Sequence, residues 1–365
     1  MIPLRISVDP LPIDIPIVAR LMMSADRDAQ SSLERDAVFI EQSSGVAEFD
    51  LSGMSLRLRV EDAASLDGDV VMILPGQRSL HRLIRRGSKH NTLLVTEQCD
   101  QLCVMCSQPP KKHHVDLFDQ FVEAVELAPD KATIGLSGGE PMLHKQRLFD
   151  FLERSLSARP DLKFHILTNG QHFENEDADF LNRLPRGSVL WGIPMYAAKA
   201  VVHDEIVVKE GAFQKLCASL ALLAKVGATI ELRTVVMGSN AQYLPALAQF
   251  IATHLPFINF WAIMQMESIG YGRMNWDKEF YDTSISFNTL SEAIDLSAAL
   301  GTEIALYNFP LCTLPDRYRQ FSVNSISDWK QKYLLECTEC TLKEQCGGFF
   351  EWYQESKGFE GIKAQ

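Results

Sequence analysis

Eight consecutive residues, Cys99-Asp100-Gln101-Leu102-Cys103-Val104-Met105-Cys106, place three cysteines in a C-x3-C-x2-C pattern directly after the apolar run 93–96. Three thiolates are offered there, and no fourth ligand is near in sequence. Thiolates select soft metals: zinc, copper(I) or the iron of iron–sulfur clusters. A closed zinc site takes four protein ligands, often as two separated pairs. Three cysteines on one loop suit a cubane cluster better, because three irons are held and one is left open. An open iron binds a substrate or cofactor through nitrogen and oxygen, whereas a simple electron carrier has every iron capped by cysteine. The pattern therefore points to catalysis.

A second group lies near the C-terminus, where Cys312 is followed by Cys337-x2-Cys340-x5-Cys346 and then Gly347-Gly348. Four thiolates complete a closed site, and by spacing alone a structural zinc and an iron–sulfur cluster fit equally. Cys217, alone in the apolar pattern of a helix, is expected to pack in the core. Eight cysteines in a chain read as cytoplasmic argue for metal or redox sites over disulfides. That location is expected because no apolar run reaches the roughly 18 residues of a membrane span, and segment 1–21 is broken by Arg5, Asp9, Pro10, Pro12, Asp14 and Pro16.

These residues need a scaffold, and 365 residues with 46% hydrophobic content supply one large α/β unit with smaller additions. A net charge of −12 repels phosphate backbones and disfavours a nucleic-acid substrate. Residues 1–90 carry no catalytic motif. Alternation at 55–60 (Ser-Leu-Arg-Leu-Arg-Val) and the run 70–74 closed by Pro75-Gly76 predict a small β-rich accessory domain. A basic segment follows, with Arg78, His81, Arg82, Arg85, Arg86 and Lys89. Solvated surface is its ordinary meaning, and a contact for an acidic peptide is the alternative.

From residue 92 strand-like and helix-like segments alternate, as in a parallel sheet wrapped by helices. Strands are expected at 92–96, 133–136, 163–167, 188–193, 229–236 and 259–263, with helical apolar spacing between them, for example Leu117, Phe118, Phe121, Val122 and Val125. Six such repeats make a (β/α)6 partial TIM barrel over residues 91–300, with a tail at 301–365. Loops after the strand C-termini form the site in parallel α/β barrels. The cysteine loop follows the first strand, Ser137-Gly138-Gly139-Glu140-Pro141 the second and Thr168-Asn169-Gly170 the third, so all three are expected on one rim. Gly138 and Gly139 allow the backbone to approach a ligand with no Cβ in the way. The loop Ser268-Ile269-Gly270-Tyr271-Gly272-Arg273, after the sixth strand, is a further candidate to touch a nucleoside or substrate.

The cysteine loop followed about thirty residues on by Leu136-Ser137-Gly138-Gly139-Glu140-Pro141 resembles the radical S-adenosylmethionine (SAM) superfamily. The resemblance covers about residues 92 to 350 and implies a 4Fe-4S cluster on Cys99, Cys103 and Cys106. Its open iron would chelate SAM and cleave it to methionine and a 5′-deoxyadenosyl radical. It implies SAM contacts at Gly138, Gly139, Glu140 and Pro141, with Glu140 accepting from the methionyl ammonium. Thr168, Asn169 and Gly170 would meet the ribose or adenine. Arg233 and Asn240 are candidates for the methionyl carboxylate and the nucleoside, a structural ion pair being the alternative for Arg233.

Coupled to that motif, the tail resembles a truncated SPASM/twitch-like domain. Cys312, Cys337, Cys340 and Cys346 would then hold an auxiliary 4Fe-4S cluster that transfers electrons. The stretch 94–110, ending Cys106-Ser107-Gln108-Pro109-Pro110, looks most like the radical SAM maturases of the His-Xaa-Ser peptide system. That implies a precursor peptide as substrate, a second radical SAM maturase as partner, and an electron donor such as flavodoxin or ferredoxin. The expected reaction is hydrogen abstraction and oxidative crosslinking of a peptide, with catalytic acid and base unassigned. The alternatives are a radical SAM enzyme acting on a small molecule or nucleotide in cofactor biosynthesis, and a non-catalytic zinc scaffold.

Overall fold

The computed structural model describes residues 3–24 and 34–365. The N-terminal strands are β1 (Arg5–Ser7), β2 (Ile17–Met22), β3 (Asp36–Ser43), β4 (Val46–Leu51), β5 (Met54–Arg59), β6 (Val70–Ile73) and β7 (Ser79–Ile84). They form one sheet in the order β1-β7-β6-β2-β3-β4-β5. A bridge from Val8 to Leu58, with Asp9 N donating to Arg57 O at 3.1 Å, joins its two edges. Period-two alternation explains which side is filled. On β5, Leu56 and Leu58 enter the core with Phe49 of β4, while Arg57 and Arg59 face water.

Eight further strands are all parallel: β8 (Asn91–Thr96), β9 (Thr133–Gly138), β10 (Lys163–Leu167), β11 (Val189–Pro194), β12 (Thr229–Val236), β13 (Phe260–Gln265), β14 (Ile304–Tyr307) and β15 (Ser322–Val323). They lie in sequence order across the sheet. Six match the expected strands within two residues. The two added by the structure, β14 and β15, run past residue 300 into the tail. At four and two residues they are too short to show a period, and only pairing defines them, β14 with β13 and β15 with β14.

The crossovers contain α1 (Phe118–Glu126), α2 (Lys145–Ala158), α3 (Ala178–Arg183), α4 (Ala200–Val207), α5 (Ala212–Lys225), α6 (Leu244–His254), α7 (Gly270–Met274), α8 (Trp276–Glu279) and α9 (Asn288–Ala299). Their apolar stripes close the main core: Phe121, Val122 and Val125 of α1, and Leu148, Phe151 and Leu152 of α2, are buried against the sheet. Cys217 on α5 is half-buried. Among the described residues no helix is long and apolar enough to cross a membrane.

Two inner faces meet at α1, because Val18, Val70, Met72 and Ile84 of the N-terminal sheet belong to the same core as Phe118 and Phe121. The basic segment departs here from a solvated face. Arg82 Nε donates to Asp69 at 2.7 Å, and Arg85, 6% exposed, grips Asp328 of the tail with two nitrogens. Arg78, Arg86 and Lys89 stay exposed. The tail is mostly short turns around one antiparallel pair, β16 (Gln331–Lys332) and β17 (Phe349–Phe350), so ion pairs such as Arg85–Asp328 help to fasten it.

Candidate active site

The cysteine loop leaves the end of β8 and is tied down on three sides by backbone bonds. Leu102 N and Val104 N donate to Val207 O and Ile206 O of α4 at 3.2 and 3.0 Å. Cys106 N closes a turn onto Cys103 O at 3.0 Å, and Tyr271 N donates to Cys106 O at 2.8 Å. Asn275 Nδ2 reaches Val104 O at 2.8 Å. Burial pushes the Cys99 thiol up to about 11, and the negative charges of Glu140, Asp100 and Cys106 act in the same direction. Cys103 is pushed up further by burial and then by Cys106 and Cys99, and burial also raises Cys106. Cys103 thus feels the charge of both other cysteines, and Cys99 that of Cys106. Crowded, desolvated thiols of this kind release their protons when a cation takes their place, which suits an iron cluster.

Gly138 and Gly139 make room for protein backbone. A Cβ at Gly138, where φ is +136°, would stand 1.9 Å from Thr96 O, and one at Gly139 would stand 2.0 Å from Gln98 O. The missing side chains let Gly139 N and Glu140 N donate to Thr96 O and Gln98 O at 2.8 and 2.7 Å. They lace β9 to the start of the cysteine loop. Pro141 is buried and opens a short turn over Pro141–His144.

Glu140 is fully buried. One carboxylate oxygen accepts from Met142 N and from Thr168 Oγ1, each at 2.7 Å, and the other from Asn169 N. Burial pushes its carboxyl up, while these donors pull it down. Three protein donors therefore occupy the group that the sequence offered to the methionyl ammonium. Thr168-Asn169-Gly170 joins the cysteine loop through this carboxylate and through Asn169 Nδ2, 2.8 Å from Asp100 Oδ1. Gly170, at φ +70°, takes a backbone form that glycine favours.

Asp100 was not singled out by its sequence position. Its carboxylate receives Lys209 Nζ, lies 3.1 Å from His172 Nε2, and is held well below the usual carboxylate range by these two groups against the opposing effect of burial. Its partners stand 69 to 109 residues away along the chain, too far for any local spacing to reveal.

Arg233 on β12 meets Glu231 Oε1 at 2.7 Å, and His165 of β10 holds the other oxygen of that buried carboxylate. Its guanidinium lies 6.0 Å from the Tyr307 ring. Asn240 is fully buried, and its amide is spent on Tyr196 O, Val235 O and Met237 N at 3.1, 3.0 and 2.8 Å. The structure gives it the job of holding a turn.

A cavity of about 750 Å³ opens beside the loop, lined by Cys103, Cys106, Ser137, Tyr196 and Arg233 among others. Ligand sites usually occupy roughly 300–1,000 Å³. Tyr196 is buried, its phenol is pushed well up by that burial, and it feels the charge of all three cysteines.

The glycine loop after β13 also serves the protein. A Cβ at Gly270, where φ is +59°, would stand 2.5 Å from Cys106 O, and one at Gly272 2.5 Å from Glu267 O. Tyr271 contributes its backbone to the cysteine loop. Left-handed strain and this overlap lead us to expect Gly270→Ala to cost about 2–3 kcal/mol. The checks are a lower thermal midpoint of the apo protein and less iron retained after anaerobic reconstitution.

In the tail, Cys312, Cys337, Cys340 and Cys346 line one small cavity. Burial pushes Cys312 up to about 11, with Cys346 next in effect. Cys346 Sγ accepts from Leu311 N and Gly348 N, each at 3.3 Å. Among the described residues, no group of three or more His, Cys, Asp or Glu is drawn together tightly enough for a single ion.

A family model, the radical SAM superfamily, matches residues 93–251. The antilisterial bacteriocin subtilosin biosynthesis protein AlbA of Bacillus subtilis is 24% identical over 197 residues, which is 50% of this chain and 42% of that protein. The match therefore spans less than half of that relative. A crystal structure of Streptococcus suis SuiB shares the fold at a TM-score of 0.50 and 14% identity, covering 64% of this chain and 52% of that one. A structure of SuiB bound to the precursor peptide SuiA has a TM-score of 0.48 and 14% identity, covering 59% and 48%. With three thiols gathered beside a glycine-laced second strand on a parallel sheet, and the family model laid over the same residues, residues 93–251 of this chain are a radical SAM domain.

Proposed function

We propose that this chain is a radical SAM enzyme that modifies a peptide by hydrogen abstraction, followed by oxidation to a crosslink. The observation that carries the reading is the loop of Cys99, Cys103 and Cys106, two of whose cysteines, Cys103 and Cys106, line a cavity large enough for SAM and part of a peptide. When bound to those thiolates, a 4Fe-4S cluster supplies the electron that cleaves SAM to methionine and a 5′-deoxyadenosyl radical.

The chain's own residues hold and orient the reactants. Backbone groups at Gly138, Gly139, Pro141, Thr168 and Gly170 form the rim on which SAM would lie. Arg233, which lines the cavity, is the candidate for its carboxylate. Glu140, Asn169 and Asp100 keep the loops in register, so they act on the cofactor through the cysteine loop. Tyr196, buried and lining the same cavity as Cys103 and Cys106, would restrict water at the place where a radical forms.

The wider layout is part of the proposal: a β-rich unit at 1–90, a partial barrel at 91–300 and a tail at 301–365. The tail cysteines would hold an auxiliary cluster that takes an electron from the substrate radical. A peptide substrate agrees with the bacteriocin named in the Bacillus subtilis relative.

Two assays test the reading. Iron- and sulfide-loaded protein, reduced with dithionite under anaerobic conditions, is expected to convert SAM to 5′-deoxyadenosine. Co-expression with neighbouring short open reading frames is expected to give a peptide lighter by about two mass units, the two hydrogens of one new crosslink. No 5′-deoxyadenosine from fully loaded, reduced protein would refute the radical chemistry.

A further inference from the structure

The same cavity has a far wall built by the N-terminal sheet and the tail, and its charge is unusual for this molecule. Arg82, Arg85, Arg233 and Lys330 line it, and among the described residues Glu267 is the one lining carboxylate. The chain as a whole carries −12, so a cavity lined by four cations stands out in an acidic protein, although each of the four has a carboxylate within 4 Å.

The four cations differ in how well they are matched. Arg82 is 2.7 Å from Asp69, Arg85 is 3.0 Å from Asp328, and Arg233 is 2.7 Å from Glu231. Lys330 has Glu267 at 3.5 Å, well beyond the roughly 2.7–2.9 Å of a close ammonium–carboxylate bond. Its ammonium lies 4.9 Å from the Phe350 ring centre and 6.0 Å from those of Trp329 and Trp352. Aromatic faces hold a cation in place but offer no lone pairs for its three N–H donors. Burial pushes the Glu267 carboxyl up and Lys330 opposes that shift, so Glu267 is a long-range partner that leaves donors of the ammonium open.

Trp329 and Trp352 also line the cavity, with ring centres 6.3 Å apart. Lys330 is fixed between them because Glu351 N donates to its carbonyl at 2.7 Å, beside the β16–β17 pair. An under-matched ammonium is therefore presented between two indoles, in the cavity that Cys103 and Cys106 also line.

We propose that Lys330 anchors an acidic side chain of the peptide substrate, with Trp329 and Trp352 as the walls of that subsite. This rests on the reading of the substrate as a peptide, and it names the residue class such a peptide must carry near its reacting position. The Asp or Glu carboxylate bonds to the ammonium, and the adjoining methylenes and backbone lie against the indoles.

The test is a titration of the full-length, iron-loaded protein with capped hexaglutamate, hexaglutamine and hexalysine, followed by calorimetry and tryptophan fluorescence. Hexaglutamate is expected to bind and change the fluorescence, and the other two are not. Lys330→Gln is expected to weaken hexaglutamate at least about tenfold, the worth of one charged hydrogen bond, and Lys330→Arg to restore most of it. Trp329→Phe is expected to diminish the fluorescence change, which locates the probe. Circular dichroism verifies that each variant is folded. No hexaglutamate binding, equal binding of hexaglutamine, or equal binding by folded Lys330→Gln would each overturn the assignment. Binding is read without SAM cleavage. Lys330-dependent binding without 5′-deoxyadenosine would leave the subsite standing and remove the radical reading, and the reverse result would do the opposite.

Discussion

Replacing Cys99, Cys103 or Cys106 with alanine is expected to lower 5′-deoxyadenosine formation at least about 100-fold, since losing even a residue that only supports a metal ligand costs about 10–100-fold. In the proposed site each sulfur would hold a separate corner of the cluster. Cys217 sits on α5 and the tail cysteines line another cavity. Thiols raised by burial and mutual repulsion bind iron only as a cooperating set, because each added thiolate is tolerated only with the cation present. The measurement is paired: iron and sulfide content after anaerobic reconstitution, and 5′-deoxyadenosine by chromatography. Cys337→Ala is the internal comparison. It is expected to lose iron yet still form 5′-deoxyadenosine, while the mass change in the peptide disappears. Full 5′-deoxyadenosine formation by Cys103→Ala would remove the assignment of this loop.

Glu140→Ala is expected to destabilise the apo protein by about 4 kcal/mol, because three donors lose their acceptor in a site without solvent and each such loss costs about 1–3 kcal/mol. Those donors are Met142 N, Thr168 Oγ1 and Asn169 N, drawn from two different loops. Their costs do not simply add, since the freed loops relax together. Glu140→Gln keeps one acceptor oxygen but turns an amide N–H₂ toward a donor, so an intermediate loss is expected. Urea denaturation of the metal-free protein measures both variants without interference from cluster assembly. An unchanged midpoint for Glu140→Ala would show that the carboxylate is not the pin joining these loops. A methionyl-ammonium role would make a different mark, weakening SAM binding while leaving the apo midpoint in place.

The order of strands and loops was legible because the signals are local. The six expected strands are short apolar runs separated in the main by segments of helical spacing, and chain order plus crossover handedness puts the following loops on one edge. The two remaining strands were not, since β14 and β15 are defined by their neighbours and not by any period of their own. The basic segment divided in the same way. Arg86 is exposed as composition suggests, whereas the burial of Arg85 depends on Asp328, 243 residues further on.

Residue types and spacing by themselves determined which groups are proposed to do chemistry: three thiols on one loop, four in the tail, and a glycine-rich turn after the second strand. Spacing along a loop suffices for that, because ligands a few residues apart reach a common cluster whatever the rest of the chain does. Only the tertiary structure decided what the neighbouring groups are for. Gly138 and Gly270 make room for backbone, Glu140 and Asn240 spend their polar atoms inside the protein, and Asp100 finds His172 and Lys209. The reason is burial: a polar side chain removed from water must satisfy its hydrogen bonds with whatever the fold brings near. Those partners come from remote parts of the chain, so the role of such a residue is settled by packing.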